Sequence, residues 1–459
     1  MRKSEKRKES IESTLVSYYP FIRNPLCRQR GILCILMFMR EEIIRHLSQD
    51  YTVPVRDPLW KHIYLSPGLR KIMYNKEFQK LGRIRQLGPA SLVYPGASHT
   101  RLNHSLGVFY LARRILKTIL FSEHCPDHLT LVGVKSFLCA SFLHDIGHFP
   151  HAHSFMELPL ADHEFLSGKI IRESEIASII KDDIGGDPVL TAAIIDSAIP
   201  DKGNKELIFF RNILSGVLDP DKLDYLNRDA YFCGVPYGMQ DIDFVISQIR
   251  PTESGICLTT KGVTAVENIL FSKYLMYKTV YWHSDVRIST ALVKKAVYLG
   301  LSQGYFKAEE LYGMDDDEFF RRMTETPEEL ASLVRESETP RKYKIISQQP
   351  FDEGNKLHRE LMDLDFRNEY EMKLAEIIES RFPGLLPENH LVIDIPSKIS
   401  FEVDVPILDK KGNKPFIGSP TVFSGPVVQG FTETLRHIKV IVPSFVAEKV
   451  PELELDPFV

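Results

Sequence analysis

The feature that most constrains this chain is an apolar helix that ends in two reactive polar side chains. Residues 131–145 carry apolar side chains at helical spacing and finish in His144 and Asp145, and Gly147 is a helix-stop signal. Such a helix has to pack against other helices along its apolar length. The polar pair must then lie at the edge of a buried core, where a site for chemistry can form.

Helical periodicity extends over the first two-thirds of the chain. Leu106, Phe109 and Ala112 form one stripe of the helix predicted at 105–120. A short hairpin is predicted around Ile256–Leu258. The predicted helices of this part cover residues 105–120, 131–145, 161–181, 186–198, 205–217, 221–231 and 263–301.

The character of the sequence changes after about residue 302. Residues 309–340 are acidic and predict a solvated helical region, and residues 366–382 predict a further helix. Beyond Pro383, β-branched runs bounded by Pro, Gly and Asn predict strands at Leu391–Ile395, Ile399–Val405 and Ile438–Val442. The predicted fold class is mainly α, with a helical core at residues 39–301 and a smaller α+β C-terminal region at 302–459.

Composition excludes several classes of protein. With 459 residues the chain has room for about three domains, or for one large helical core with an appendage. The formal net charge of −4 gives the whole molecule no field that attracts nucleic acid or membranes, so an anion site has to be a local basic pocket. The six cysteines include no C-x-x-C pair, which argues against a thiolate zinc site or a disulfide framework and for a reducing cytoplasm.

Residues 1–38 are predicted to be a non-native or disordered extension, with Met39 as the true start. They begin with the basic run MRKSEKRKE, and the apolar run Gly31–Met39 is shorter than the roughly 20 residues that a membrane span needs. About 20 mixed residues separate the two runs and no A-x-A-like site follows, which argues against a signal peptide. We therefore expect a cytoplasmic protein without a membrane partner.

The decapeptide HDIGHFPHAH, residues 144–153, concentrates four histidines and an aspartate. Imidazole and carboxylate together suit a divalent metal such as Mn, Fe or Zn. His148 follows His144 by four residues and can lie near the same face of a helix. Because buried histidines at this density need partners or a metal, the cluster predicts a metal site.

Two other segments offer side chains that could complete this site. SHTRLNHS places His104 at the head of a predicted helix, and LDPDKLDYLNRD offers Asp219, Asp221, Asp224 and Asp229. A His, a His-Asp pair and a distant Asp would give two nitrogen and two oxygen ligands, with open positions for water and substrate, as in a catalytic site. Taken alone, His104 also fits a helix-cap or surface histidine, and Asp221 fits an N-terminal helix residue favoured by the helix dipole.

Three ordered segments resemble the HD superfamily of metal-dependent phosphohydrolases. The closer resemblance is to its dGTPase-like branch, the deoxynucleoside triphosphate triphosphohydrolases. The segments are IRQLGPASLVYPGASHTRLNHSLGVFYLA, FLHDIGHFPHAHSF and LDPDKLDYLNRDAYFCGVPYG. The resemblance covers about residues 50–300, and the tail from FEVDVPILDKKGN to LRHIKVIVP is similar to the C-terminal region of bacterial members.

The resemblance implies a role for each matching position. A divalent Mn, Fe, Zn or Mg ion would be held by His104, His144, Asp145 and Asp221. The catalytic phosphate side would be lined by His148, His153, His163 and Glu164. Phosphate oxygens would be held by Arg101 and Lys222. The deoxyribose would be contacted by Gln86, Leu87, Tyr225 and Asp229.

The chain also departs from the family pattern. Members often carry an acidic residue three positions after the equivalent of His153, where this chain has Met156, followed by Glu157. Tyr74 and Gly82 replace two of the residues with which animal members read an activating guanine nucleotide.

The resemblance implies hydrolysis of a deoxynucleoside triphosphate (dNTP) to deoxynucleoside and triphosphate. Two alternatives stay open: an HD-type phosphatase that acts on a nucleoside monophosphate or another phosphate ester, and a non-catalytic regulator that binds nucleotide or nucleic acid. The expected partners are a nucleotide and further copies of the chain, with a homo-tetramer as the form that the resemblance implies.

Overall fold

The computed structural model describes residues 31–410 and 412–455, and their side chains from Arg40 onward. Helices dominate this part of the chain, which confirms the predicted mainly α fold with a smaller α+β region. The α-helices are α1 Gly31–Gln49, α2 Pro67–Met73, α3 Lys76–Gln79, α4 Arg101–Leu120, α5 Leu131–Leu143, α6 His163–Glu173, α7 Glu175–Ser178, α8 Pro188–Ile195, α9 Lys205–Leu214, α10 Pro220–Cys233, α11 Ile242–Gln248, α12 Val263–Met276, α13 Ser284–Ser302, α14 Ala308–Leu311, α15 Asp316–Thr324, α16 Glu328–Ser337, α17 Lys356–Glu360, α18 Leu364–Arg381, α19 Gly425–Leu435 and α20 Ser444–Ala447.

The strands of the described residues are short and form three small sheets. They are β1 Val53–Asp57, β2 Lys61–Leu65, β3 Ile249–Pro251, β4 Ile256–Thr259, β5 Tyr343–Pro350, β6 Val392–Asp394, β7 Pro406–Asp409, β8 Gly412–Pro415 and β9 His437–Pro443. The sheet orders are β1-β2, β3-β4-β7-β8 and β5-β9-β6. β7 runs parallel to β4, with Ile407 opposite Leu258, so the second sheet ties the C-terminal region to the helical core.

Helix α5 lies inside the helical core and is apolar nearly all round. The ring of Phe137 stacks on Phe210 with centroids 4.8 Å apart, and the ring of Phe142 stacks on Phe78 at 4.4 Å. The side chain of Thr130 caps the start of α5 by accepting a hydrogen bond from a backbone N–H of the first turn. The helix is therefore capped at its start and packed along its length, and the residues that follow its last turn lie at the edge of the core.

Helices α4 and α10 pack side by side and bring their first turns to the end of α5. Asp219 caps α10 and Pro220 occupies its first position, where a missing N–H costs nothing. The two helices are in close contact at Gly107, where a Cβ atom would lie 1.8 Å from Asp224 Oδ1. Glycine is therefore required at this point of α4.

Most predicted helices are confirmed with shifted ends. The helix predicted at 105–120 begins at Arg101, because Thr100 and Asn103 form a reciprocal capping box. The helix predicted at 263–301 is two helices, α12 and α13, since a π-helical turn at residues 277–281 ends the first and His283 caps the second.

The predicted strands are confirmed in part. β6 and β9 lie within or around two of the predicted runs, and the predicted hairpin is β3-β4. The strand predicted at Ile399–Val405 is wrong, because this segment pairs with no strand of the described chain, and the nearest strand begins only at Pro406. Its alternating pattern instead reflects burial of Ile399, Phe401 and Val405 against the helical core.

The predicted extension falls largely outside the described residues, which begin at Gly31. Helix α1 runs through the expected start at Met39, and the Arg40 guanidinium donates to the carbonyl oxygen of Leu120. In the part of the chain that the structure describes, no helix combines the length and apolar character needed to cross a membrane.

Candidate metal and phosphate site

A cavity of about 810 Å³ lies where the helical core meets the C-terminal region. A volume of this size accommodates a ligand as large as a nucleotide. All the predicted site residues line this cavity except His148, whose side chain is fully buried behind the cavity wall. The cavity is lined by Gln86, Leu87, Arg101, His104, His144, Asp145, His153, His163, Glu164, Asp221, Lys222, Tyr225 and Asp229.

The predicted metal ligands converge at one end of this cavity. His104 comes from the first turn of α4, His144 and Asp145 follow α5, and Asp221 comes from the first turn of α10. His144 Nε2 lies 3.3 Å from both His104 Nε2 and Asp145 Oδ1. Asp221 Oδ1 lies 2.8 Å from His104 Nε2 and 3.8 Å from His144 Nε2. Ligand atoms that share one divalent ion at bonds of about 2.1 Å stand about 3 Å apart, which matches the spacing of His104, His144 and Asp145, while Asp221 joins this set through its contact with His104.

The hydrogen bonds behind the two histidines also fit a metal. Nδ1 of His104 donates to Asp224 Oδ2 at 2.9 Å, and Nδ1 of His144 donates to the carbonyl oxygen of Ser141 at 3.1 Å. Each ring therefore uses Nδ1 for this hydrogen bond and turns Nε2 toward the cluster, as the atom that would bind a metal. Metal-binding histidines are oriented in this way by carboxylates and carbonyls. The side chains present thus fit a divalent ion.

The electrostatics keep both predicted carboxylate ligands ionised. Burial alone would raise the pKa of Asp145, but His148, His144 and Arg101 hold it well below its usual range. Burial likewise opposes ionisation of Asp221, whose pKa is lowered by its hydrogen bond with His104. Burial would lower the pKa of His104, but Asp221 and Asp224 raise it to about 10. A metal ion therefore has to compete with a proton at His104.

A second group of imidazoles lies next to the first. His148 Nε2 is 3.1 Å from His153 Nε2, and the ring centroids of His148 and His163 are 4.0 Å apart. Gly147 makes this contact possible, because a Cβ atom there would lie 2.3 Å from the carbonyl oxygen of His163. Burial, followed by the charge of Arg101, lowers the pKa of His153 to about 3, so the His153 ring is neutral.

Neither Met156 nor Glu157 supplies an acidic neighbour to His153. Met156 is largely exposed, and the Glu157 carboxylate is held by Lys294 at 3.1 Å and by Arg367 at 3.0 Å. Glu157 is therefore part of a structural ion-pair group. The acidic residue in the His153 and His163 wall is instead Glu164, whose pKa burial and then Asp162 raise to about 7.

The two basic residues beside the ligands differ in how freely they can bind phosphate. Arg101 Nη1 donates to Asp145 Oδ2 at 2.8 Å, and its buried Nε donates to no acceptor among the described residues. The Lys222 ammonium is surrounded by the carbonyl oxygen of Gly216 at 3.1 Å, Asp219 Oδ2 at 2.6 Å and Glu402 Oε2 at 2.9 Å.

The face of α10 that carries Asp221 also carries two of the residues predicted to contact the sugar. Tyr225 and Asp229 follow Asp221 at intervals of four residues and line the cavity with it. Asp229 accepts hydrogen bonds from His99 Nε2 at 2.8 Å and from the Tyr281 hydroxyl at 2.7 Å, which fixes its carboxylate.

Sequence reasoning missed several residues of this site. No local signal distinguishes His99, Tyr281 or Glu402, because their partners lie far away in the sequence. His151 was visible only as a member of the histidine cluster; it lines the cavity with a left-handed backbone, φ 62°. Asp224 was visible as an aspartate near Asp221, but not as the carboxylate behind His104.

Comparisons with known proteins point to one family. A family model described as HD domain matches residues 101–194, and one described as HD associated region matches residues 240–412. The chain is 34% identical to the uncharacterised protein YwfO of Bacillus subtilis over 53% of this chain and 54% of that protein. It is 29% identical to deoxynucleoside triphosphate triphosphohydrolase SAMHD1 of Danio rerio over 55% of this chain and 46% of that protein. The chain thus spans about half the length of the curated relatives it matches.

Solved structures share the fold over most of the chain. A hypothetical protein from Aquifex aeolicus has a TM-score of 0.67 at 25% identity, covering 86% of this chain and 98% of its own. A phosphohydrolase from Bacteroides thetaiotaomicron has a TM-score of 0.64 at 21% identity, covering 85% and 99%, which shows the fold alone. With the family-model matches and the His, His-Asp and Asp set gathered in one cavity, the chain belongs to the HD-domain phosphohydrolase superfamily.

Proposed function

We propose that the protein is a metal-dependent dNTP triphosphohydrolase, which releases deoxynucleoside and inorganic triphosphate. The observation that carries this proposal is the face of α10, which places Asp221, Tyr225 and Asp229 along one cavity. Positions four residues apart on a helix are separated by about 6 Å along its axis. A deoxyribose that contacts Tyr225 and Asp229 therefore has its 5′ side, and with it the α-phosphate, at the Asp221 end. The similarity to SAMHD1, whose name states this activity, supports the same reaction.

The divalent ion would be held by His104, His144, Asp145 and Asp221, with Mn, Fe, Zn and Mg as the candidates. When bound, such an ion supplies Lewis-acid stabilisation of negative charge on phosphate. Around it, the chain's own side chains bind and orient the substrate.

Two buried polar atoms without a partner in the described residues fit the phosphate and the sugar of such a substrate. Arg101 Nε donates no hydrogen bond and Gln86 Oε1 accepts none within the described residues. A buried polar atom without a partner costs about 1–3 kcal/mol, so a ligand that pairs both atoms is stabilised. A phosphate oxygen provides the acceptor for Arg101, and a sugar hydroxyl provides the donor for Gln86. Leu87 and Tyr225 add apolar contact to the sugar.

Proton transfer falls to the wall that carries His153, His163 and Glu164. Hydrolysis adds water to the α-phosphorus, breaks the bond between phosphorus and the 5′ oxygen, and leaves a proton on that oxygen. Burial lowers the pKa of both His153 and His163, so these two rings are neutral and would relay the proton rather than store it, with His148 packed behind both rings. Glu164, with a pKa of about 7, is the carboxyl group of this wall that can carry a proton at neutral pH.

We further propose a catalytic core at residues 39–301, a C-terminal region at 302–459, and a cytoplasmic homo-oligomer. The HD associated match at residues 240–412 crosses that boundary, as does the sheet that joins β4 to β7. The two parts therefore build the cavity together.

The decisive experiment is incubation of purified, Mn-loaded protein with each dNTP, each ribonucleoside triphosphate and the corresponding monophosphates. Anion-exchange chromatography separates the products, and phosphorus NMR identifies the released phosphate. A tripolyphosphate signal supports the proposal, whereas orthophosphate with dNDP contradicts it. Activity on a monophosphate alone identifies the phosphatase alternative, and bound but uncleaved nucleotide identifies the regulator.

A further inference from the structure

The segment that links β6 to β7, residues 395–405, is called the strap here. It belongs to no helix or sheet in the described chain, and it lines the cavity beside Lys222. Its middle is anchored: Phe401 is buried with its ring 5.3 Å from that of Phe431, and Lys273 Nζ donates to the carbonyl oxygen of Ser400 at 2.6 Å. Glu402 follows these anchors directly and reaches the cavity.

The strap supplies one of three oxygens that surround the Lys222 ammonium. The other two, from Asp219 and Gly216, belong to the segment that leads into α10. An ammonium group has three N–H donors and no acceptor. With three oxygens within 3.1 Å, the Lys222 ammonium is surrounded, and a phosphate oxygen has to take the place of one of them.

Of the three oxygens, that of Glu402 is the one that can be exchanged. The Asp219 carboxylate is buried and also accepts from the backbone N–H of Lys222, so it is fixed as the cap of α10. The Glu402 side chain is 39% exposed, and its Oε2 makes no hydrogen bond of good geometry. The contact with Lys222 is therefore chiefly an ion pair; Oε2 is buried in it, but the rest of the Glu402 side chain reaches solvent and can turn toward water.

We propose that Glu402 is a positioning residue that takes, on Lys222, the place of a substrate phosphate oxygen. Binding of a polyphosphate displaces the Glu402 carboxylate, and Lys222 exchanges one anion for the other. The carboxylate competes for the same donor and repels the incoming phosphate, so it weakens the ground-state affinity for polyphosphate. The identity of the ligand as a triphosphate rests on the proposed function.

The test is isothermal titration calorimetry of the full-length, Mn-loaded protein with inorganic tripolyphosphate, with excess Mn²⁺ matched in cell and syringe. Glu402→Gln should lower the Kd by about five- to tenfold, the range for a hydrogen bond to a charged group reduced by partial exposure. Glu353→Gln is the matched control, because Glu353 pairs at 2.9 Å with Lys398, another cavity-lining lysine of the same strap, in an ion pair whose two side chains are mostly exposed and which therefore contributes little. This control should bind like the wild type.

A double variant shows whether the effect passes through Lys222. In Lys222→Gln protein, the added Glu402→Gln change should give no gain in affinity. An unchanged or higher Kd in the single Glu402→Gln variant overturns the inference, and so does an equal gain in the Glu353→Gln control.

Tripolyphosphate binding requires no turnover, so this inference and the proposed function can fail separately. If Glu402→Gln tightens tripolyphosphate binding but no dNTP is cleaved, the exchange at Lys222 stands and the proposed function is wrong. If dNTP is cleaved to triphosphate but Glu402→Gln has no effect, the proposed function stands and the exchange is wrong.

Discussion

Asp224 offers a direct way to test whether the histidine lone pairs are aimed at a metal ion. Its buried carboxylate accepts from His104 Nδ1 at 2.9 Å and from Arg228 Nε at 2.8 Å, and Trp60 also donates to it. Asp224→Asn keeps the shape but removes the charge and turns an NH₂ group toward one of these donors. His104 then faces at best a neutral amide oxygen, a weaker acceptor that fixes its ring and its tautomer less firmly.

These contacts set the expected losses of metal affinity and of folding stability in Asp224→Asn. Loss of the group that orients a metal-binding histidine lowers metal affinity by about 10- to 100-fold. Arg228 is fully buried and keeps only Asp57, at 2.8 Å, as an ionised partner. The free energy of unfolding should therefore fall by about 3 kcal/mol, the lower end for breaking a buried ion pair.

Asp57→Asn is the matched control, because it weakens the same Arg228 pairing without touching His104. Urea unfolding gives the stability of both variants, and calorimetric titration with Mn²⁺ gives their metal affinity. We expect both variants to be destabilised and only Asp224→Asn to lose metal affinity. Equal metal affinity in Asp224→Asn and Asp57→Asn would refute the assigned role of Asp224.

Three further outcomes are expected. Asp145→Ala should lose both bound metal, measured by elemental analysis, and turnover; normal metal content with surviving activity would show that the site is misassigned. If Glu164 supplies the proton, activity should fall as the pH rises through about 7, and Glu164→Gln should remove that limb of the pH–rate profile. Burial would raise the pKa of Glu157, but Lys294 and Arg367 lower it, so this carboxylate stabilises the fold above its ordinary pKa and the effect is lost as the pH falls. Glu157→Gln should therefore cost about 3 kcal/mol in urea unfolding at pH 7, and the gap to the wild type should shrink below about pH 4.

The helices of the core and the residue types of the site could be predicted from the sequence, because both depend on short-range patterns. The apolar repeat of α5 predicts a buried helix. His144 and Asp145 follow this helix directly in the sequence, so their position at its end is predicted as well. The capping box of Thr100 and Asn103 was a readable signal for the earlier start of α4, yet the apolar stripe alone places that start later. The capping residues therefore predict the helix ends better than the apolar periodicity does.

The long-range pairs of the site could not be predicted in the same way. Glu402 reaches Lys222 from a segment whose alternating pattern predicts a strand, and only the packing of Phe401 shows why the segment stays unpaired. His99 and Tyr281 meet at Asp229 from separate parts of the chain. These contacts arise from how helices pack, which no local periodicity specifies.

The positions of the predicted ligands explain how a polar site coexists with an apolar core. All four lie at helix ends: His104 and Asp221 in first turns, His144 and Asp145 directly after the last turn of α5. Helix ends carry unpaired backbone groups that already need polar surroundings, so polar side chains placed there leave the apolar faces intact. The positive end of α10 also favours the ionised form of Asp221. At the end of α5, the hydroxyl of Ser167 donates to the carbonyl oxygen of His144 at 2.8 Å and so takes up one of the unpaired groups. The ligand geometry therefore depends on caps and helix contacts, and substitutions that preserve the volume of the α5 core should leave metal affinity unchanged.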